Sequence, residues 1–247
     1  MTQAPALELI EVCKYFGGIP ATQNVSLSVS QGERRLIMGP NGAGKTTLFN
    51  QITGDLKPTS GRIRFFGRNI TNMSAHRRAH LGMSRTYQII TLFPKDTLEH
   101  NVALGLLALR GLRWNMFKPL ALEESMRQEA HRILDLVGLR ELAKARLSEI
   151  AYGQKRRVEI AMALAQKPRL LLLDEPLAGL SSEERAGIKQ LIASIPRETT
   201  VVMIEHDMDT ALDLAETITL LHYGKVIVDG TRDAVVADAR TREVYLG

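Results

Sequence analysis

Apolar and polar residues alternate in LELIEV (7–12) and NVSLSV (24–29), the pattern of strands with one face buried and the other in water. At Leu36, Ile37 and Met38 the alternation stops: three consecutive apolar residues run into Gly39, as in a strand covered on both faces. RIRFFG (62–67) reads as a short strand between Gly61 and Gly67. Leu170 to Leu173 precede Asp174-Glu175, and TTVVMI (199–204) is a further buried strand. TITLLHYGKVIVDG (217–230) reads as a hairpin turning at Tyr223-Gly224. From Leu98 to Gln166 the period changes to that of helices; EESMRQEAHRILDLVGL places Met126, Ala130, Ile133, Leu134 and Val137 near one face, with Gly138 as the stop. The pattern predicts an α/β fold with a mainly parallel sheet, an antiparallel β portion and an inserted helical segment.

Composition narrows this little. At 247 residues, 45% hydrophobic and 24% charged, the chain is long enough for a substantial core and unlike a disordered one. Its one cysteine, Cys13, excludes an internal disulfide and reads as apolar filler in a strand. The first residues lack a basic region followed by a long apolar run, and no apolar stretch approaches the roughly 20 residues of a spanning helix. A soluble, cytoplasmic chain is expected. The net charge of +5 permits anionic partners without choosing among them. The densest basic groups, His76-Arg77-Arg78 and Lys155-Arg156-Arg157, are not interleaved with aromatics; each reads as a solvated helix face, and nucleic-acid binding is not expected.

GPNGAGKTT (39–47) fits G-x-x-x-x-G-K-[ST] between a strand and a helix. Gly39, Gly42 and Gly44 let the backbone curl so that its N–H groups converge on phosphate oxygens at the positive end of a helix dipole. Lys45 would reach the β and γ phosphates, and the Thr46 hydroxyl would coordinate Mg²⁺. LLLLDEP (170–176) supplies what such a loop needs opposite it: Asp174 to hold Mg²⁺, and Glu175 as general base for an attacking water. His206, at the end of a strand expected beside that of Asp174, is placed for a γ-phosphate contact.

Together these residues resemble the ATP-binding cassette (ABC) family, and the resemblance runs over essentially the whole chain. GPNGAGKTT looks like its Walker A loop, Gln88 in SRTYQII its Q-loop, IAYGQKRR (150–157) its signature, LLLLDEP its Walker B strand, LAGLS (177–181) its D-loop and His206 its switch histidine. The resemblance implies a P-loop NTPase core at about 1–87 and 167–247, a helical subdomain at about 88–166, and ATP with Mg²⁺ as ligands. It assigns nucleotide contacts to Phe16, which would stack on adenine with Tyr15 as the second candidate, to Gly39, Asn41, Gly42, Ala43, Gly44, Lys45, Thr46 and Thr47, and to Ala151, Gly153 and Gln154 of the signature. It assigns Mg²⁺ to Thr46, Gln88 and Asp174, and catalysis to Glu175, His206 and Gln88.

GPNGAGKTTLFNQITGDLKPTSGRI, LGMSRTYQIITLF and the terminal EVYLG look like the ATPase subunits of branched-chain amino acid importers, where an Ala-Tyr-Gly-Gln signature is familiar. Ala151 in place of the usual serine therefore reads as a habit of the branch, and hydrolysis is expected to be retained. Ser181 departs from the Asn or Asp common in the D-loop. The resemblance further implies a head-to-tail pair with a second ATPase subunit, the same chain or a similar one, and transmembrane permease subunits at the inner face of the membrane. A solute-binding protein would act indirectly. Residues 89–120, with IITLF, Val102, Leu106, Leu109, Leu112, Trp114 and Phe117, would either line the permease groove or pack the helical subdomain. Competing functions are an ATPase of a urea/amide or lipopolysaccharide-export system, a nucleic-acid-acting cassette protein, and a nucleotide-gated binding module with little hydrolysis.

Overall fold

The computed structural model describes residues 3–86, 92–108, 124–206 and 212–246. The chain runs β1 (Leu7–Phe16), β2 (Ile19–Val29), β3 (Arg34–Met38), α1 (Lys45–Thr53), β4 (Ser60–Phe65), β5 (Arg68–Asn69), α2 (Ala75–His80), β6 (Met83–Arg85), α3 (Leu98–Leu107), α4 (Glu124–Leu136), α5 (Tyr152–Ala165), β7 (Leu170–Asp174), α6 (Ser182–Ser194), β8 (Thr200–Glu205), β9 (Thr217–His222), β10 (Lys225–Thr231), α7 (Arg232–Ala237) and α8 (Ala239–Leu246). It divides into two compact units. One comprises residues 1–85, 169–177 and 195–247; the other comprises residues 86–168 and 178–194.

The first unit holds two sheets. In the four-stranded one, of order β2-β1-β4-β5, all pairings are antiparallel. The six-stranded one has the order β10-β9-β3-β8-β7-β6 and is parallel except where β10 returns beside β9 at the edge. The three strands read as doubly covered are so: every residue of β3, β7 and β8 is buried. Their centre joins Ile37, Leu170, Leu172, Val202 and Ile204 to Leu48, Phe49 and Ile52 of α1 and to Leu7, Leu9 and Val25 of the antiparallel sheet. Burying such side chains contributes about 1.5–3 kcal/mol each, which makes this cluster the main source of cohesion in the unit. The parallel strands end side by side, so Met38, Asp174 and Glu205 share one edge, the place where open α/β sheets bind ligands.

The second unit is built on α3, α4, α5 and α6. Met126, Ala130, Ile133 and Leu134 form the buried face expected of α4, buried Val137 follows its last residue, and Gly138 closes the segment with a φ of 69°. Val102 and Leu106 are buried, while Leu109, Leu112, Trp114 and Phe117 lie outside the described residues.

The basic groups differ from expectation. His76 and Arg77 are exposed, but Arg78 is 1% exposed and its guanidinium donates to the carbonyls of Gln51, Ile52, Thr71 and Met73 at 2.6–3.0 Å. Arg156 is equally buried against Glu159 at 2.8 Å, and Arg157 donates to the Val137 carbonyl at 3.2 Å. Buried backbone carbonyls need donors, and long planar guanidinium groups reach them where no neighbouring N–H does.

Candidate functional site

β3 delivers the chain into a loop that ends at the first turn of α1. Gly39 has a φ of 152°, and a Cβ there would lie 2.1 Å from the Leu221 carbonyl oxygen. Gly44, the residue preceding α1, has a φ of 101°, and a Cβ would lie 2.3 Å from the Ala21 carbonyl oxygen. Both positions therefore demand glycine for space as well as for conformation. Gly42 has a φ of 80° in open surroundings, so only its conformation is demanding. The loop is pinned by Ala43 N–H donating to the Pro40 carbonyl at 3.1 Å and by Gly224 N–H, in the β9–β10 turn, donating to the Ala43 carbonyl at 3.0 Å. Asn41 and Thr46 are exposed and Thr47 half-buried.

Lys45 is buried, and its ammonium donates to the carbonyls of Gly39 at 2.7 Å and Pro40 at 3.1 Å. Burial lowers its pKa from the usual lysine value, while Glu175, Asp174 and Glu205 oppose the shift. The cation thus lies in the field of three carboxylates at one sheet edge, an arrangement suited to a polyanion accompanied by a divalent ion.

Asp174 ends β7 and is 2% exposed. Glu175 follows with a φ of 48°, in the left-handed region that non-glycine residues seldom occupy, and its N–H donates to the Ile204 carbonyl at 3.0 Å. That turn sends the two neighbouring carboxylates in different directions. The Glu175 side chain is 16% exposed, and its Oε1 stands 3.8 Å from Nδ1 of His206, which is half-exposed. The donors this edge offers a metal are oxygens, the Asp174 carboxylate and the Thr46 hydroxyl. That set fits Mg²⁺, which is held by one or two carboxylates plus phosphate oxygens and water. Among the described residues no three histidine, cysteine or acidic side chains form a group that could hold a metal ion.

At the signature, α5 begins at Tyr152, and Ala151 is its N-cap with φ −64° and ψ 160°. Gln154 Oε1 accepts the Ala151 N–H at 3.0 Å, one half of a capping box; a methyl group cannot return the bond. Gly153 is buried, and its N–H donates to Glu184 Oε1 at 3.2 Å. Glu184 is itself the capping-box carboxylate of α6: it accepts from Ser181 N–H at 2.9 Å, and the Ser181 hydroxyl accepts from Glu184 N–H at 3.3 Å. These donors, Ser181 first, hold the Glu184 carboxyl below its ordinary pKa. Ser181 therefore has a local task, starting α6.

Phe16 and Tyr15 both stand exposed near the β1–β2 turn, with Lys14 Nζ 5.2 Å from the Phe16 ring centre. Gln88 lies outside the described residues. Sequence reasoning missed three site residues. Glu205 is 2% exposed and accepts the Leu177 N–H at 2.9 Å; Arg85 reaches Asp174; Glu184 meets the signature glycine. Glu205 had a visible signal, a carboxylate in an apolar strand immediately before His206. Glu184 carried the Ser-x-x-Glu spacing of a helix start but nothing that pointed to Gly153, and Arg85 carried no signal.

Comparisons with known proteins agree with this geometry. Residues 22–178 match the family model for the ABC transporter. The high-affinity branched-chain amino acid transport ATP-binding protein BraF of Pseudomonas aeruginosa is 37% identical, with 98% of each chain covered. The corresponding LivG protein of Salmonella typhimurium is 35% identical over the same shares. Among solved structures, the ADP conformation of MJ1267, an ATP-binding cassette of an ABC transporter, superposes with a TM-score of 0.88 at 30% identity, covering 100% of both chains. A dimeric post-hydrolysis state of the cassette MJ0796 bound to ADP and Pi has a TM-score of 0.78 at 30% identity, covering 92% of this chain and 98% of its own. With the family model spanning more than half its length and relatives above 30% identity spanning nearly all of it, this chain belongs to the ABC transporter family, as an ATP-binding ATPase subunit.

Proposed function

We propose that the chain works in a head-to-tail pair of ATPase subunits, each ATP held between the phosphate loop of one and the signature of the other. The pair drives transmembrane permease subunits that import branched-chain amino acids or a related small polar solute. The observation that carries this reading is the pairing of Glu175 and His206, 3.8 Å apart, at the sheet edge that also bears Lys45 and Asp174. A module that only bound nucleotide would not need a carboxylate held at a strained φ beside a histidine.

In the proposed mechanism, backbone N–H groups of residues 39–47 and the Lys45 ammonium hold the phosphates, with Phe16 against adenine. Thr46 and Asp174, with Gln88, would hold Mg²⁺, which would supply positive charge against the phosphates. Glu175 takes a proton from the attacking water, whose oxygen bonds to the γ phosphorus as the bond to the bridging oxygen breaks. His206 fixes that carboxylate and donates toward the γ phosphate. The N-terminal turn of α5 presents its dipole and backbone N–H groups from the other subunit, with the Gly153 N–H exchanging Glu184 for phosphate as the pair closes, which is why a missing Ala151 hydroxyl is tolerated. Phe93 is half-exposed, with its backbone clamped by buried Asn101 at 2.9 and 3.1 Å, and this supports a permease contact near the start of α3. Among the described residues no helix is long and apolar enough to cross a membrane, so attachment to the inner face would come through the permease. The solute class rests on the names of the relatives.

ATP turnover per chain, measured across a wide range of protein concentration for wild type and Glu175→Gln, tests the reading. Specific activity that climbs with concentration in the wild type and nearly vanishes in the variant supports it. Turnover that is flat, or survives loss of Glu175, overturns it. Uptake of labelled leucine against labelled urea in vesicles carrying the permease tests the solute class.

A further inference from the structure

Arg85 is the last residue of β6 and pairs in register with Leu172 on β7, two residues before Asp174. Its side chain is 5% exposed. Nη2 donates to Asp174 Oδ2 at 2.6 Å, and Nη1 donates to Asn50 Oδ1 on α1, also at 2.6 Å. Asp55 Oδ2 stands 3.6 Å from Nη1 and is itself held by the Thr53 hydroxyl at 2.7 Å. The guanidinium carbon lies 5.5 Å from the centre of the Phe49 ring, which supports it from α1. A single buried cation thus ties the carboxylate at the end of β7 to the helix that begins at Lys45.

The steps of hydrolysis do not use this guanidinium, so its cost needs another account. Burying an arginine is unfavourable unless its donors are matched, and here Nη1 and Nη2 each meet a partner, one a phosphate-helix amide and the other a metal-side carboxylate. A carboxylate at a strand end can rotate about its own bonds. Two short, charge-assisted contacts at fixed geometry prevent that rotation and set the Asp174 plane relative to α1, where Thr46 sits. Partners of this kind govern metal sites by orienting the ligand.

We infer that Arg85 is the positioning residue of the Mg²⁺ site: by holding Asp174 Oδ2 and Asn50 Oδ1 together, it fixes the metal-side carboxylate against the phosphate-binding helix. This rests on the proposed role of Asp174.

The test is binding, without turnover. Affinity for the non-hydrolysable analogue AMP-PNP is measured by calorimetry in Mg²⁺ and in EDTA, and the ratio of the two affinities is the readout. Wild type, Asp174→Asn, Arg85→Met and Arg85→Lys are compared. Asp174→Asn is expected to abolish the gain from Mg²⁺. Arg85→Met should cut that gain by about 10-fold or more, the usual cost of losing a residue that orients a metal ligand, with the EDTA affinity unchanged. Arg85→Lys keeps the charge beside Asp174, guards against misfolding, and should lose part of the gain because one ammonium cannot span both partners. If Asp174→Asn reduces the gain while both Arg85 variants match wild type, the inference fails and the metal role of Asp174 stands. If wild type and Asp174→Asn are alike, the metal role of Asp174 fails and the inference falls with it. An equal loss in EDTA and in Mg²⁺ for Arg85→Lys shows general damage to the loop and also overturns the inference.

Discussion

Restoring the signature hydroxyl by Ala151→Ser separates two roles that a serine can have at this position. Ala151 is the N-cap of α5, with backbone angles in the range that capping residues adopt, and it is exposed, so an added oxygen meets no obstacle. Gln154 already accepts the Ala151 N–H at 3.0 Å. A serine would accept the Gln154 N–H in return and complete the capping box. N-cap serine over alanine is worth about 0.5–2 kcal/mol, typically ~1. Against RT, ~1 kcal/mol slows opening of the first turn of α5 about fivefold. Hydrogen exchange of the Gly153 and Gln154 amides reads this directly. Turnover should change much less, by under about threefold, because the donors proposed to meet phosphate belong to the backbone and are present in wild type and variant alike. Unchanged exchange would refute the capping argument. Turnover raised tenfold or more, a gain of about 1.4 kcal/mol, would refute the claim that backbone donors suffice.

Other expectations follow from the same geometry. Arg78→Met removes donors from four carbonyls; leaving buried acceptors unsatisfied costs about 1–3 kcal/mol, to be read from urea denaturation, and a loss below ~1 kcal/mol would refute its role at the end of α1. Gly39→Ala drives a methyl into the Leu221 carbonyl and should abolish nucleotide binding in calorimetry; normal affinity would contradict the close approach. Glu184 has a folded pKa below its ordinary 4.5, so its stabilising contribution is present above that value and is lost as pH falls through the lower folded value. The melting temperature of wild type should exceed that of Glu184→Gln near neutral pH, and the gap should close on acidification below about 4.5. A gap that is constant with pH would show that the carboxylate charge is not involved.

What could be read from the chain was local. Consecutive apolar residues at 36–38 and 170–173 gave doubly covered strands, because burial on both faces leaves no place for polar residues. The phosphate loop was legible because three glycines at fixed spacing answer conformational demands within nine residues. Arg78 and Arg156 misled because charge predicts exposure only when no acceptor lies within reach: Arg78 finds carbonyls on α1, and Arg156 finds Glu159 one turn on in its own helix. The site contacts of Arg85 and Glu184 were invisible because they are remote in sequence: Asp174 is 89 residues from the one, and Gly153 is 31 residues from the other. Ser181 looked like a departure at a shared interface, yet its fixed relation to Glu184 three residues on is a sequence-level signature of a helix start.

The stretch from Glu175 to Leu177 is stapled to β8 at both ends, by Glu175 N–H on the Ile204 carbonyl and by Leu177 N–H on Glu205. Its length is thereby fixed to the residue. One insertion would break a staple and turn the Glu175 carboxylate, the proposed base, away from His206, and one deletion could not span the gap. The β1–β2 tip is the opposite case: Gly17 and Gly18 have open space around them, so length there is unconstrained by neighbours. Natural and engineered relatives of this chain should thus gain and lose residues at 17–18 and keep the count constant from 174 to 177, and a library of single-codon insertions scored for turnover would draw that map.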